Sequence, residues 1–369
     1  MSAELLGRIV RDKGVLPGRL AIEDGLIAAI TPDPAGASRR YLAPGFIDLH
    51  VHGWGGHDAM GGRQALDGMA AALARHGVTS FLPTAVTAPL HALHHFANDV
   101  RSWEAAATGA QPLGFNLEGP FLAPGRRGAH AAQHLRVPAD VPGGELEPLL
   151  DGLRLTTVAP ELDGALELIG WLVDRGVVVS LGHSEATIDE ARAGYSAGAS
   201  STTHLFNAMS GLGHRSPGLA GAALADDAVA VELIADDIHV DPAVYQLVAR
   251  TKPTTKLLLV SDALALAGTP DGRSRLGDLD VELRAGRATL AGSDVLAGSV
   301  IALDAAVRNL VSARIGLTDA IAAASRNPAQ LLGLEDRGRI EVGLRADLVE
   351  LDDELAVSRV WVEGQPVER

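Results

Sequence analysis

The sequence predicts an α/β fold: a (β/α)8 TIM-type barrel carrying a small β-sandwich domain built from both chain ends. Three observations predict it. Strand-like and helix-like segments alternate about eight times through the middle of the chain. Both ends consist of short strand-like runs separated by glycine turns. The 369 residues exceed one average domain and suit one large barrel with a small companion.

Taken in order, Gly7–Val10, Arg19–Ile22 and Leu26–Ile30 read as strands, with Glu23-Asp24-Gly25 as a turn. Phe46–Gly53 is the first barrel strand. Ala65–His76 follows with apolar residues at helical spacing. Then come Ser80–Val86, a helix from about Leu90 to Ala107, and Pro112–Glu118. Leu155–Pro160 precedes a helix over Gly164–Arg175, and Val177–His183 precedes one over Thr187–Ala197. Ser201–Asn207, Val229–Asp236 with the helix Pro242–Arg250, and Lys256–Asp262 complete the strand set. Around 271–291 the alternation in Leu279–Leu283 and the turn Ala285-Gly286-Arg287 predict an inserted β-hairpin. Helices follow at about Ser299–Ile315 and Thr318–Leu332. The expected division is therefore 1–43 plus 339–369 for the small domain and 44–338 for the barrel.

Composition removes several function classes. The chain has no cysteine, which excludes disulfides, thiolate metal sites, iron–sulfur clusters and a cysteine nucleophile. The formal charge of −15 argues against a nucleic-acid surface. No apolar run approaches the length of a membrane span, and Met1–Lys13 lacks the layout of a signal peptide. A cytoplasmic enzyme with no nucleic-acid or membrane partner is the expectation.

Polar residues gather at the carboxyl ends of the expected strands, where barrels of this kind build their sites. The first strand ends in His50 and His52, whose i, i+2 spacing sends both imidazoles to one face. The third ends in Glu118, the fifth in His183, the sixth in His204 and the eighth in Asp262. A lone strand-end histidine is an ordinary hydrogen-bonding group. Six such groups on one rim call for a cation. Nitrogen and oxygen donors suit a divalent metal, Zn²⁺ or Fe²⁺ first, Mn²⁺ or Co²⁺ next. Glu118, His183 and His204 would hold one ion, which activates water near neutral pH. Asp262 fits a general acid/base; a ligand or a histidine-orienting carboxylate are its other readings. The chain's three lysines, Lys13, Lys252 and Lys256, all lie outside the stretch from the first strand to the sixth. A carbamylated lysine bridge is thereby excluded. Either a carboxylate, naturally Glu118, bridges two ions, or there is one ion.

The runs Pro44–Gly53, Leu117–Phe121, Arg127–His130, Gly182–Ser184, Thr203–Met209 and Val260–Ala263 resemble the N-acetylglucosamine-6-phosphate deacetylase family of the amidohydrolase superfamily. The resemblance covers about residues 40 to 350. His-x-His-Gly is shared across the superfamily. Leu-Glu-Gly-Pro with a histidine twelve residues past the glutamate, and Thr-His-Leu-Phe-Asn-Ala-Met, are specific to this branch. The resemblance implies a homodimer that hydrolyses the acetamide of N-acetylglucosamine 6-phosphate to glucosamine 6-phosphate and acetate, in amino-sugar catabolism or recycling. It implies Glu118, His183 and His204 as metal ligands, Asp262 as acid/base, and His130 at the acetyl carbonyl. Asn207, the Ala208 backbone, Arg215 and His239 form its substrate-binding set, with Arg215 on the phosphate. His50 and His52 allow a second ion per subunit. Arg126 and Arg127 read as surface charge, and His57-Asp58 as a support of the metal rim. Three rival readings exist: the galactosamine epimer as substrate, a nucleobase deaminase, and a non-catalytic sugar-phosphate-binding homologue.

Overall fold

The computed structural model describes residues 2–34, 39–106 and 108–368. Ala107, the expected end of the second helix, lies outside them, as do Met1 and Arg369 at the limits of the expected small domain.

Among the described residues, eight parallel strands form one sheet in sequence order. They are β1 (Phe46–Val51), β2 (Val78–Val86), β3 (Phe115–Glu118), β4 (Leu153–Val158), β5 (Val178–Leu181), β6 (Ser201–Thr202), β7 (Ala230–Leu233) and β8 (Leu257–Leu259). A parallel bridge between Val51 and Ala263 joins the two edges and closes the ring. The same seam carries Asp262 N–H to His50 O (2.8 Å) and His52 N–H to Ala263 O (2.8 Å). All nine residues of β2 are buried, as expected of a strand covered on both faces.

Each strand is followed by a helix: α1 (Arg63–Ala74), α2 (Leu90–Ser102), α3 (Gly143–Leu150), α4 (Ala165–Val173), α5 (Ile188–Ser196), α6 (Gly218–Ala225), α7 (Pro242–Thr251) and α8 (Leu303–Ser312). Helix α1 buries Leu66, Met69, Ala70 and Leu73, the i, i+3, i+4, i+7 stripe of an amphipathic helix. A capping box starts α5, with the Thr187 side chain accepting from Glu190 N–H and Glu190 returning to the Thr187 backbone. Asp241 caps α7 ahead of Pro242.

The expected last helix is two, α9 (Leu317–Ala323) and α10 (Arg326–Leu331), parted at Ser325, which is not helical. The expected hairpin is a three-stranded sheet of Gly272–Leu276, Leu279–Arg284 and Arg287–Leu290.

The chain ends build a single seven-stranded sheet, the form the expected small companion takes. Tyr41–Pro44 is its meeting point, parallel to Ser2–Arg11 and antiparallel to Leu348–Leu351. Its apolar face gathers Ile9, Leu20, Ile22, Leu42, Leu348 and Trp361. Among the described residues, no helix is long and apolar enough to cross a membrane.

Candidate active site

The site is set by how the barrel strands end. β1 shifts its register against β2 between Asp48 and Val51. Such a bulge re-aims side chains at a barrel rim. Buried Asp48 steadies it, its Oδ1 accepting N–H bonds from His50 and Ser261, both 3.2 Å. β6 and β8 stop earlier than expected because the chain turns left-handed at their ends. His204 (φ 28°) and Asp262 (φ 49°) adopt this backbone, as does His183 (φ 47°) beyond β5. Non-glycine residues there store about 1 to 3 kcal/mol of strain each. Three of the six predicted rim residues are therefore held where local preference would not put them. Gly53 follows the two histidines because a Cβ there would lie 2.4 Å from His57 O and 2.6 Å from Ala265 N.

The structure brings His50, His52, Glu118, His183, His204 and Asp262 together, all buried. Glu118 stands at the centre. Its Oε1 is 3.0 Å from His183 Nε2, 2.9 Å from His204 Nε2 and 3.4 Å from His50 Nε2. Its Oε2 is 3.1 Å from both His52 Nε2 and His130 Nε2. Asp262 Oδ1 lies 3.3 Å from His52 Nε2 and 3.5 Å from His50 Nε2.

Outward partners set which ring nitrogen carries the proton. His50 Nδ1 meets Glu232 Oε2 (3.2 Å), His52 Nδ1 meets Thr84 O (3.1 Å) and His183 Nδ1 meets Arg126 O (2.7 Å). Each partner is an acceptor, so each Nδ1 donates and each Nε2 points a lone pair inward. Facing nitrogens stand 3.3 Å apart in His50–His52 and 3.0 Å apart in His183–His204. Lone pairs this close demand a proton or a metal ion between them. His130 is the reverse case. Its Nδ1 lies 2.9 Å from Thr87 Oγ1 and 3.2 Å from Thr87 N; the backbone N–H can only donate, so the neutral ring carries its proton on Nε2.

The charges agree with a cation site. Burial would raise the Glu118 carboxyl, but the His50 charge and the hydrogen bond with His130 hold it well below the usual carboxylate range. Burial would also raise Asp262, yet its hydrogen bond with His52 and the His50 charge hold it down. Burial favours neutral His50 and His52. Glu118 and Asp262 outweigh it, raising His52 to about 9 and His50 well above its usual value. His183, where burial wins, drops to about 4 and is neutral. Two buried carboxylates thus draw positive charge into the cluster, and inward lone pairs are shaped to receive it as a metal ion. His50, His52, Glu118 and Asp262 offer ligand atoms all within 4.8 Å of one another. The donors fit a divalent metal.

A cavity of about 480 Å³ opens over the cluster, lined also by Arg126, Arg127, His130, Asn207, Ala208 and His239. A cleft of about 620 Å³ where Val10 and Pro44 meet Arg326 is larger but does not include the buried cluster. Asn207 donates to His204 O (3.2 Å), and Ala208 is left-handed (φ 48°). His239 Nδ1 donates to Asp236 Oδ2 (2.7 Å).

Four residues differ from expectation in whole or in part. Arg215 is exposed and is not among the residues lining this cavity. Arg126 and Arg127, read from sequence as surface charge, are exposed as expected but also stand on its wall. His57 packs over Gly68 of α1 and not on the metal rim. Glu232 was not foreseen, because a glutamate within the strand-like run Val229–Asp236 carries no motif.

A buried cluster of imidazoles and carboxylates on the carboxyl rim of a (β/α)8 barrel defines a class: a barrel hydrolase whose site can hold a divalent metal. The Amidohydrolase family model matches residues 41–367, and the chain belongs to that family. The N-acetylgalactosamine-6-phosphate deacetylase of Escherichia coli O157:H7 is 41% identical, with 97% of each chain covered. The N-acetylglucosamine-6-phosphate deacetylase of Bos taurus is 39% identical over 95% of this chain and 88% of its own. Among solved structures, a mutant N-acetyl-D-glucosamine-6-phosphate deacetylase from Mycobacterium smegmatis, in complex with N-acetyl-D-glucosamine-6-phosphate, is 37% identical. It matches with a TM-score of 0.90 over 100% of both chains.

Proposed function

We propose that this chain hydrolyses the acetamide of N-acetyl-D-glucosamine 6-phosphate, releasing D-glucosamine 6-phosphate and acetate. The galactosamine epimer is the close alternative, since relatives named for each sugar match along nearly the whole chain. The observation that carries the reading is the opposed proton placement around Glu118: inward lone pairs on His50, His52 and His183, an inward N–H on His130.

Glu118, His183 and His204 would hold a divalent ion, whose positive charge would acidify water and polarise the acetyl carbonyl. Asp262 takes the proton of the attacking water and returns it to the amine as the C–N bond breaks. His130 Nε2–H donates to the carbonyl oxygen as it gains negative charge. Asn207, the Ala208 backbone and His239 hold the sugar from the cavity wall. For the phosphate the chain offers Arg126 and Arg127 on that wall and Arg215 on the exposed loop beyond Ala208. Zn²⁺ or Fe²⁺ is the ion, with His50 and His52 completing a second position. The chain works as a homodimer, a reading supported by the family resemblance, in the cytoplasm, which suits a chain without cysteine.

The test is release of the free amino sugar from both epimers by metal-loaded protein, with elemental analysis and light scattering. Asp262→Asn should lower kcat by about 10³-fold while keeping its metal. Metal-loaded wild type that binds either sugar phosphate without turnover would establish the binding-protein alternative. Arg126→Ala, Arg127→Ala and Arg215→Ala are compared on the phosphorylated and unphosphorylated sugars. The true phosphate partner raises KM for the phosphorylated sugar alone, by about tenfold or more.

A further inference from the structure

We propose that Glu232 is a positioning residue that sets His50 as an Nε2 ligand and, through the same oxygen, pins the backbone that presents His204. Glu232 lies in β7, the strand between those that carry His204 and Asp262, and is fully buried. Its Oε2 accepts the Nδ1–H of His50 (3.2 Å) and the backbone N–H of His204 (3.2 Å). Its Oε1 has no hydrogen-bond partner among the described residues.

A carboxylate with one idle oxygen is a poor structural device in a barrel interior, because burying it is costly unless its charge is answered. What it does secure is specific. Of the four ring nitrogens that face away from the cluster in His50, His52, His183 and His204, only that of His50 meets a carboxylate. His52 and His183 meet backbone carbonyls, and His204 Nδ1 has no partner among the described residues. An anionic acceptor makes the opposite nitrogen a stronger donor to a cation and forbids the other tautomer. His204 takes its orientation from its backbone, and Glu232 holds that backbone at a left-handed turn (φ 28°). One side chain therefore orients ligands at both ends of the cluster. This rests on the reading that the cluster binds a metal, and its test reads ion binding, not turnover.

The measurement is a Co²⁺ titration against a competing chelator, following the visible Co²⁺ spectrum and the number of ions per subunit. Glu232→Leu should weaken Co²⁺ binding by about 10- to 100-fold and alter the spectrum. Glu232→Gln, which keeps an acceptor for His50, should lose less. In a His50→Ala background the added loss from Glu232→Leu should shrink to the part that runs through His204. Should Glu232→Leu not fold, the Glu232→Gln pair with and without His50 carries the same comparison. Unchanged Co²⁺ affinity and spectrum in the folded Glu232 variants, at whatever stoichiometry wild type shows, overturns the proposal. So does an equal loss with and without the His50 imidazole. Wild type that binds Co²⁺ but hydrolyses neither sugar phosphate would sink the functional reading and leave this result intact.

Discussion

Thr87 and Arg126 face two histidines that stand edge to face with ring centroids 4.7 Å apart. Arg126 O accepts from His183, whereas Thr87 N–H donates to His130. In the proposed mechanism the first ring offers a lone pair to a cation and the second a proton-bearing nitrogen, although both reach Glu118. The two substitutions should therefore part company. His183→Ala should lose bound metal, and activity with it. His130→Ala should keep its metal and lower kcat by about 10²-fold, the usual cost of one oxyanion donor. Metal analysis beside kinetics checks both. Equal metal loss in the two variants would make His130 a ligand and remove the donor role.

Elements show which parts of the structure sequence alone can carry. Helix α1 is legible because its buried residues repeat at helical spacing. Helix α6 is not: seven of its eight residues are buried, so small apolar side chains on every face leave no periodicity to read. β6 and β8 are shorter than their strand-like runs suggest because His204 and Asp262 take left-handed backbone at the rim, a preference imposed by the assembled site. The rim residues themselves are legible from motifs, while Glu232 and Arg126 O act through partners far apart in sequence. Packing between elements adds a pH-dependent joint. In α8, Asp304 Oδ2 accepts from Arg308 (2.9 Å), and its Oδ1 lies 3.4 Å from His76 Nδ1, just past the end of α1. Burial would raise the Asp304 carboxyl, but His76 and Arg308 together hold it below its ordinary value. A depressed folded-state pKa stabilises above the unfolded value, about 4, and the benefit fades as pH falls through the folded value. Asp304→Asn should cost about 1 to 2 kcal/mol at pH 7. Urea midpoints should show that gap narrowing below about pH 4. A gap independent of pH would show that the side chain acts by packing and not by charge.

At the scale of the whole molecule the cluster is a tie between strands that adjoin no common turn. Its members come from the ends of β1, β3, β5, β6 and β8, and the ring is closed near it by the bridge from Val51 to Ala263. Without a metal ion, the two buried carboxylates of Glu118 and Asp262 at that seam are answered only by protons on His50 and His52, in a chain already at −15. Left-handed strand ends at His183, His204 and Asp262 add strain that only the assembled rim repays. An ion that binds this arrangement and not the unfolded chain stabilises by about 4 kcal/mol at a thousand times its Kd. At a few degrees per kcal/mol, the expected rise in Tm on reloading chelated protein with Zn²⁺ is of order 5 to 10 °C. Glu118→Gln, which removes the carboxylate that every imidazole of the cluster approaches, should abolish most of the rise. Arg215→Ala, on an exposed loop, should leave it whole. Calorimetry on the three proteins, chelated and reloaded, decides the matter: the same melting temperature with and without the ion in wild type would mean that the barrel rim is not held together through this cluster.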